Sequence, residues 1–98
     1  MSGTKFDDEL SGKGVMTKDG REIGKLSDVE IDHEEWSVTA FLVKLDRDLL
    51  ETFEMKKPMF GTVALPIPVD YIGALGDKLM LEKTLEELVE HAKELDEE

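Results

Sequence analysis

The sequence predicts a mainly β chain folded as one small barrel of about five or six strands, with a short mid-chain helix and an amphipathic C-terminal helix. Three observations predict it. Short apolar runs at residues 13–17, 22–32, 37–45, 63–67 and 78–82 alternate in polarity or nearly so, as strands with one buried face do. Turn residues, above all Asp19-Gly20 and Gly76-Asp77, separate those runs. After residue 83 the apolar period lengthens to that of a helix.

Residues 13–17 read as a first strand and 22–32 as a longer second one, joined through Lys18-Asp19-Gly20-Arg21. Asp19-Gly20 suits a two-residue type I′ hairpin loop, which needs positive φ at both positions. In the second strand Val29 and Ile31 alternate with Asp28, Glu30 and Asp32, yet Leu26 lies on the opposite phase from Ile23. One extra residue near Gly24 repairs the phase, so a β-bulge or sharp bend is expected there.

Residues 37–45 form a third strand with Val38, Ala40 and Leu42 on one phase and Phe41, Val43 and Leu45 on the other. A strand apolar on both faces needs a second cover, whether a helix, a sheet or a partner subunit. Asp46 or Asp48 can begin a short helix to about residue 53, with Asp48 and Glu51 at capping-box spacing. A loop carrying Met55, Pro58, Met59 and Phe60 leads to the strand at 63–67, which Pro66 and Pro68 restrict to an edge or a bulged position. A turn at Gly76-Asp77 leads to the strand at 78–82. In the last helix Thr84 and Glu87 form a second capping box, and Leu85, Leu88, Val89, Ala92 and Leu95 make one apolar stripe. That stripe covers the chain's own barrel or binds in trans. The terminal Asp96-Glu97-Glu98 is expected to fray.

Charge and composition narrow the function. Twenty-four acidic residues against twelve basic ones give a net charge of -12, and Lys56-Lys57 is the sole adjacent basic pair. Direct nucleic-acid binding is therefore not expected. With no cysteine there is no disulfide framework, thiolate metal site or thiol nucleophile, and a reducing cytosol is the simplest compartment. Residues 1–10 lack an apolar export signal, and the uncharged run 58–69 is too short and too rich in proline to span a bilayer, so no membrane insertion is expected.

No catalytic or cofactor constellation emerges. Gly12-Lys13-Gly14 lacks a third glycine for a dinucleotide loop, residues 20–25 lack phosphate-loop spacing, and no serine sits in a Gly-x-Ser-x-Gly turn. The acidic run Asp28, Glu30, Asp32, His33, Glu34, Glu35 is the best cation candidate, but His33 and Thr39 stand where a calcium loop needs Gly and Glu. It reads instead as the solvated face of a strand, and His91 as an ordinary surface residue of the last helix. The expectation is a non-enzyme without metal or cofactor.

The order of residues also resembles a known family. Leu10-Ser11-Gly12-Lys13-Gly14-Val15, followed by Asp19-Gly20-Arg21-Glu22-Ile23-Gly24-Lys25-Leu26-Ser27-Asp28-Val29, resembles the PRC-barrel signature of a Leu-Gly-Lys strand, an Asp-Gly turn and an Ile-Gly-Lys-Val-x-Asp strand. Leu65-Pro66-Ile67-Pro68-Val69-Asp70-Tyr71-Ile72 and the run through Gly76-Asp77 look like its closing half. The resemblance implies a PRC-type barrel at 10–83, preceded by a flexible segment at 1–9 and followed by a helix and acidic tail at 84–98. Among family members the chain looks most like stand-alone archaeal proteins. Some of these are cell-division accessories that act through a SepF-type membrane anchor of the FtsZ ring. The resemblance thus implies a cytoplasmic protein-protein adaptor recruited to the division site through its partner, the alternative being a ribosome-maturation or RNA-processing accessory.

Two surfaces are expected to matter. Trp36, Met55, Met59 and Phe60 sit in connections, where they either plug the barrel ends or form a partner-binding patch. Val38, Phe41, Val43 and Leu45, with Leu85, Leu88 and Val89, are candidates for helix packing or a two-fold homodimer. Gly20, Gly24 and Gly76, with Asp19 and Asp77, are expected to shape turns and bends.

Overall fold

The computed structural model describes residues 11–55 and 61–96. Its strands are β1 (Gly14–Met16), β2 (Glu22–Asp32), β3 (Ser37–Leu45), β4 (Ala64–Pro68), β5 (Ile72–Leu75) and β6 (Leu79–Leu81). Helix α1 (Arg47–Leu50) follows β3, a 3-10 turn (Val69–Tyr71) joins β4 to β5, and α2 (Leu85–Asp96) is the last element among the described residues. The six strands form one mixed sheet in the order β4-β3-β2-β1-β6-β5, antiparallel except for the parallel pair β1 and β6. Among the described residues its two edges do not pair, so the barrel is curled but open. Residues 1–9, the pair Met59 and Phe60, and the terminal Glu97 and Glu98 lie outside the described residues.

The curl begins at the expected bulge. Val15 pairs with Gly24 and Met16 with Glu22, which leaves Ile23 as the extra residue and turns both Ile23 and Leu26 inward. Gly24 also lies against β3 so closely that a Cβ would overlap the Lys44 carbonyl oxygen. Two irregularities beyond the expected one occur along β2 and β3, at Ser27 and at Thr39, and each adds local twist. Ser27 donates its hydroxyl to the Leu42 carbonyl at 3.0 Å and so occupies the gap its bulge opens.

The first hairpin differs from expectation. Gly20 has φ +83°, but Asp19 is not in the left-handed region, so the loop is not type I′. The Gly20 N–H donates to the Thr17 carbonyl and the Thr17 N–H to the Arg21 carbonyl, giving a type I turn followed by a left-handed glycine. The cause is local. Thr17 Oγ1 donates to Asp19 Oδ1 and accepts from the Arg21 N–H, which holds Asp19 in the ordinary turn conformation. Thr17 is fully buried, and these bonds satisfy it.

Helix α1 is shorter than expected and has no Asp48–Glu51 box. Asp46 is its N-cap, without a side-chain cap bond, and its N–H is spent on the Ile23 carbonyl. Turns carry the chain on to Glu54, whose φ of 58° ends the element. Strand β5 is an addition to the sequence reading, and its partner β6 starts after a turn in which Gly76 needs no left-handed φ.

Helix α2 packs on the curled sheet in cis. Its capping box forms as expected: the Thr84 N–H donates to Glu87 Oε1 at 2.9 Å and the Glu87 N–H to Thr84 Oγ1 at 3.2 Å. Leu88 and Ala92 join Val15, Ile23, Val43, Leu65, Ile67 and Leu79 in one core, to which α1 adds Leu50 and the following turn Phe53. Polar contacts hold the helix along its length. Asp19 Oδ1 accepts the Leu85 N–H, and Lys93 pairs with Glu54 at 2.7 Å. His91 corrects the surface reading: it is half-buried, its Nε2–H donates to the Pro66 carbonyl at 2.9 Å, and its ring meets Tyr71 edge-on. Among the described residues β4 has a neighbouring strand on one side only, and the imidazole serves a carbonyl on the other.

Gly24→Ala is expected to destabilise the fold by roughly 3 kcal/mol or more, because backbone rather than a movable side chain blocks the methyl. Gly76→Ala meets nothing within 4 Å and should change stability by less than about 0.5 kcal/mol. Paired denaturant titrations check both. Acid should also loosen the α2 clasp. Asp19 is held below the usual carboxylate range by the Thr17 hydroxyl and the Leu85 N–H, and Glu87 by its bonds to Thr84. Lowered folded-state values mean that the unfolded chain binds more protons in this range. The stabilisation is complete above the ordinary carboxylate pKa and is lost as pH falls through the folded-state values. The Asp19→Asn, Glu87→Gln double variant should therefore show a shallower acid decline than the wild type in denaturant midpoints measured against pH.

Candidate functional site

The β2–β3 hairpin is longer than the barrel requires. Its proximal half supplies Ile23, Leu26, Val43 and Leu45 to the core, whereas beyond Asp28 and Ala40 the ribbon extends into solvent as an arm. On this arm Ile31 and Val38 are direct cross-strand partners and so share one face, and they remain 46% and 39% exposed. The turn at residues 33–36 closes above the Asp32–Ser37 pair, with Asp32 Oδ1 accepting the Glu34 N–H at 2.9 Å.

Trp36 ends that turn at φ 55°, a conformation that costs a bulky L-residue about 1–2 kcal/mol and that glycine adopts freely. Its indole is 78% exposed and meets the His33 ring at a centroid distance of 5.7 Å. A tryptophan earns its place in a core by removing 150–250 Å² from water, roughly, and Trp36 removes little. The side chain is thus retained where it strains the backbone and adds almost nothing to folding. Backbone strain without a stability return is a mark of functional positions.

The other sequence-predicted residues fall elsewhere. Met55 follows α1, which starts beyond the opposite end of β3, and it packs half-buried against the core. Trp36 and Met55 therefore do not share one patch. Val43, Leu45 and Leu88 are buried within this chain, and Phe41, Leu85 and Val89 pack half-buried against the same core. Val38 alone of that group is exposed, so β3 meets most of its demand for cover with its own barrel and helices. Sequence reasoning missed Ile31 as a surface residue, because regular alternation with Val29 reads as a buried face, and only the fold shows that the ribbon outruns the core before it reaches Ile31.

The remaining chemistry is committed to structure. His33 lies on Trp36 and His91 on Pro66 and Tyr71. Among the described residues no three His, Asp or Glu side chains converge in a way that could hold a metal ion. Asp28 and Asp32 are turned to neighbouring backbone N–H groups. An open depression beside the 3-10 turn is lined by Lys18, Asp70, Tyr71, Leu81, Glu82 and Lys83, with the Lys83 ammonium 5.0 Å above the Tyr71 ring. Its charges are of both signs. Leu75 and Met80, on β5 and β6 across the sheet from the arm, are also exposed, but the pairs Leu75–Leu79 and Ala74–Met80 put them on opposite faces, so they do not form one patch. Among the described residues no helix is long and apolar enough to cross a membrane.

Comparison with known protein families matches residues 2–88 to the PRC-barrel domain. The match runs from the N-terminal segment through the buried Leu88 of α2. No curated protein matches the chain.

Trp36→Gly tests whether the indole serves folding. Relief of the left-handed backbone is offset in part by the greater freedom of glycine in the unfolded chain, so the variant should be as stable as the wild type or up to about 1 kcal/mol more stable. A loss above about 1 kcal/mol in denaturant titration would mean that the side chain packs.

Proposed function

Because the chain belongs to the PRC-barrel family, we propose that it is a non-catalytic adaptor that binds another protein, acting at the division site through a SepF-type anchor. The PRC-barrel domain is a general protein-interaction module. One observation carries the adaptor reading in this chain: an exposed, strained tryptophan on an arm that the barrel does not need. Aromatic side chains of this kind are enriched at binding hot spots and depleted from surfaces that contact only water.

The division-site reading draws on the likeness of residues 10–82 to stand-alone archaeal family members. An accessory of that kind needs no membrane segment of its own, since its partner supplies the anchor. The committed histidines and the mixed-charge depression favour a binding module over an enzyme, in keeping with a chain whose conspicuous chemistry is surface and not cavity.

Affinity capture from the source cell, with the intact chain as bait, tests this reading. A SepF-type division protein should be the dominant captured partner. Ribosomal proteins in its place would support the maturation-accessory alternative, and recovery of no protein above background would overturn the adaptor reading itself.

A further inference from the structure

We propose that the distal β2–β3 arm is the docking surface for a basic protein segment, which packs apolar side chains on Ile31 and Val38 and lays an arginine or lysine on the Trp36 indole. The assignment rests on the protein-binding reading above and names the partner's chemistry.

Charge selects the occupant. From residue 28 to residue 39 the arm carries Asp28, Glu30, Asp32, Glu34 and Glu35 and neither Lys nor Arg. The apolar pair and the indole therefore share the arm with acidic charges alone, which make up its rim. A second copy of the chain would bring the same rim and a net charge of -12 against it, and nucleic acid or anionic lipid would be repelled in the same way. A cationic protein surface gains on each count: its charge is steered toward the rim, its apolar side chains cover Ile31 and Val38, and its cations meet the indole face, the strongest cation–π acceptor among side chains. The strained turn contributes by holding the indole outward before any partner arrives, which lowers the ordering cost of binding.

The test uses a labelled amphipathic peptide of alternating Arg and Leu and its Glu and Leu counterpart. Trp36 is the sole tryptophan, so its emission reports directly on the arm. The Arg peptide should shift that emission to shorter wavelength and the Glu peptide should not. By anisotropy, Trp36→Gly should weaken Arg-peptide binding by roughly tenfold or more, and the Ile31→Thr, Val38→Thr double variant by at least about fivefold. Glu34→Gln with Glu35→Gln should slow association severalfold. Glu86→Gln with Glu94→Gln, which removes equal charge from the exposed face of α2, should stay within about twofold of the wild type. Equal losses in the two charge pairs would reduce the effect to bulk attraction and overturn the proposal, as would unchanged affinity in Trp36→Gly. Sedimentation that shows a dimer abolished by Trp36→Gly would assign the arm to self-association instead. A Trp36→Gly chain that still captures the cellular partner would keep the adaptor reading and lose the arm.

Discussion

The close approach of β2 to β3 at Gly24 is the contact on which the rest of the molecule depends. A side chain there would enter the Lys44 carbonyl, so the two longest strands can lie together at this point only over a glycine. The bulge next to it makes Ile23 and Leu26 both face inward, and Ile23 in turn offers its carbonyl to the Asp46 N–H that starts α1. One short segment thus sets the curl of the sheet, the filling of the core and the exit of the first helix. The same strands continue past the core as the arm, so the position of the candidate site is inherited from the barrel's tightest contact.

Helix α2 closes the opposite side by apolar burial and by polar contacts that orient it. Leu88 and Ala92 supply the burial, and a Leu-to-Ala change at such a site removes about 2–5 kcal/mol. Asp19, Thr84, His91 and Lys93 fix direction and register from one end of the helix to the other. Each of these is partly or fully solvated and individually weak, but together they leave the apolar stripe one way to lie. With the helix so placed, most of its stripe is spent on the barrel, and the arm is where exposed apolar side chains gather, with Val69, Leu75, Met80 and Leu95 exposed singly elsewhere.

Local chemistry was legible in the sequence and long-range geometry was not. The Thr84–Glu87 box, the Gly24 bulge and the edge position of the Pro66 and Pro68 strand follow from rules that act within a few residues, and all three are present. The type I′ expectation at Asp19-Gly20 failed because the Thr17 hydroxyl captures the Asp19 carboxylate, and a dipeptide rule does not see that neighbour. His91 read as surface because its acceptor, Pro66, is distant in sequence and becomes available only at the edge of a folded sheet. Strand β5 is four residues with a glycine inside, and its pairing with β6 rather than its own composition makes it a strand. The candidate site was half legible: Trp36 stood out as an aromatic in a connection, whereas the exposure of Ile31 depends on how far the ribbon runs past the core, which only the packed barrel fixes.

The barrel and its arm are one hairpin serving two purposes, with the proximal half spending its side chains on stability and the distal half holding a strained indole outside. That division makes local stability unequal along the same two strands. Native-state hydrogen exchange measures it directly. Amides of Leu26 and Val43 should exchange only on global unfolding, while those of Ile31 and Val38 should exchange through local opening at a markedly lower free energy. Equal protection at both ends of the hairpin would contradict the account, because the arm would then be an integral part of the folded core.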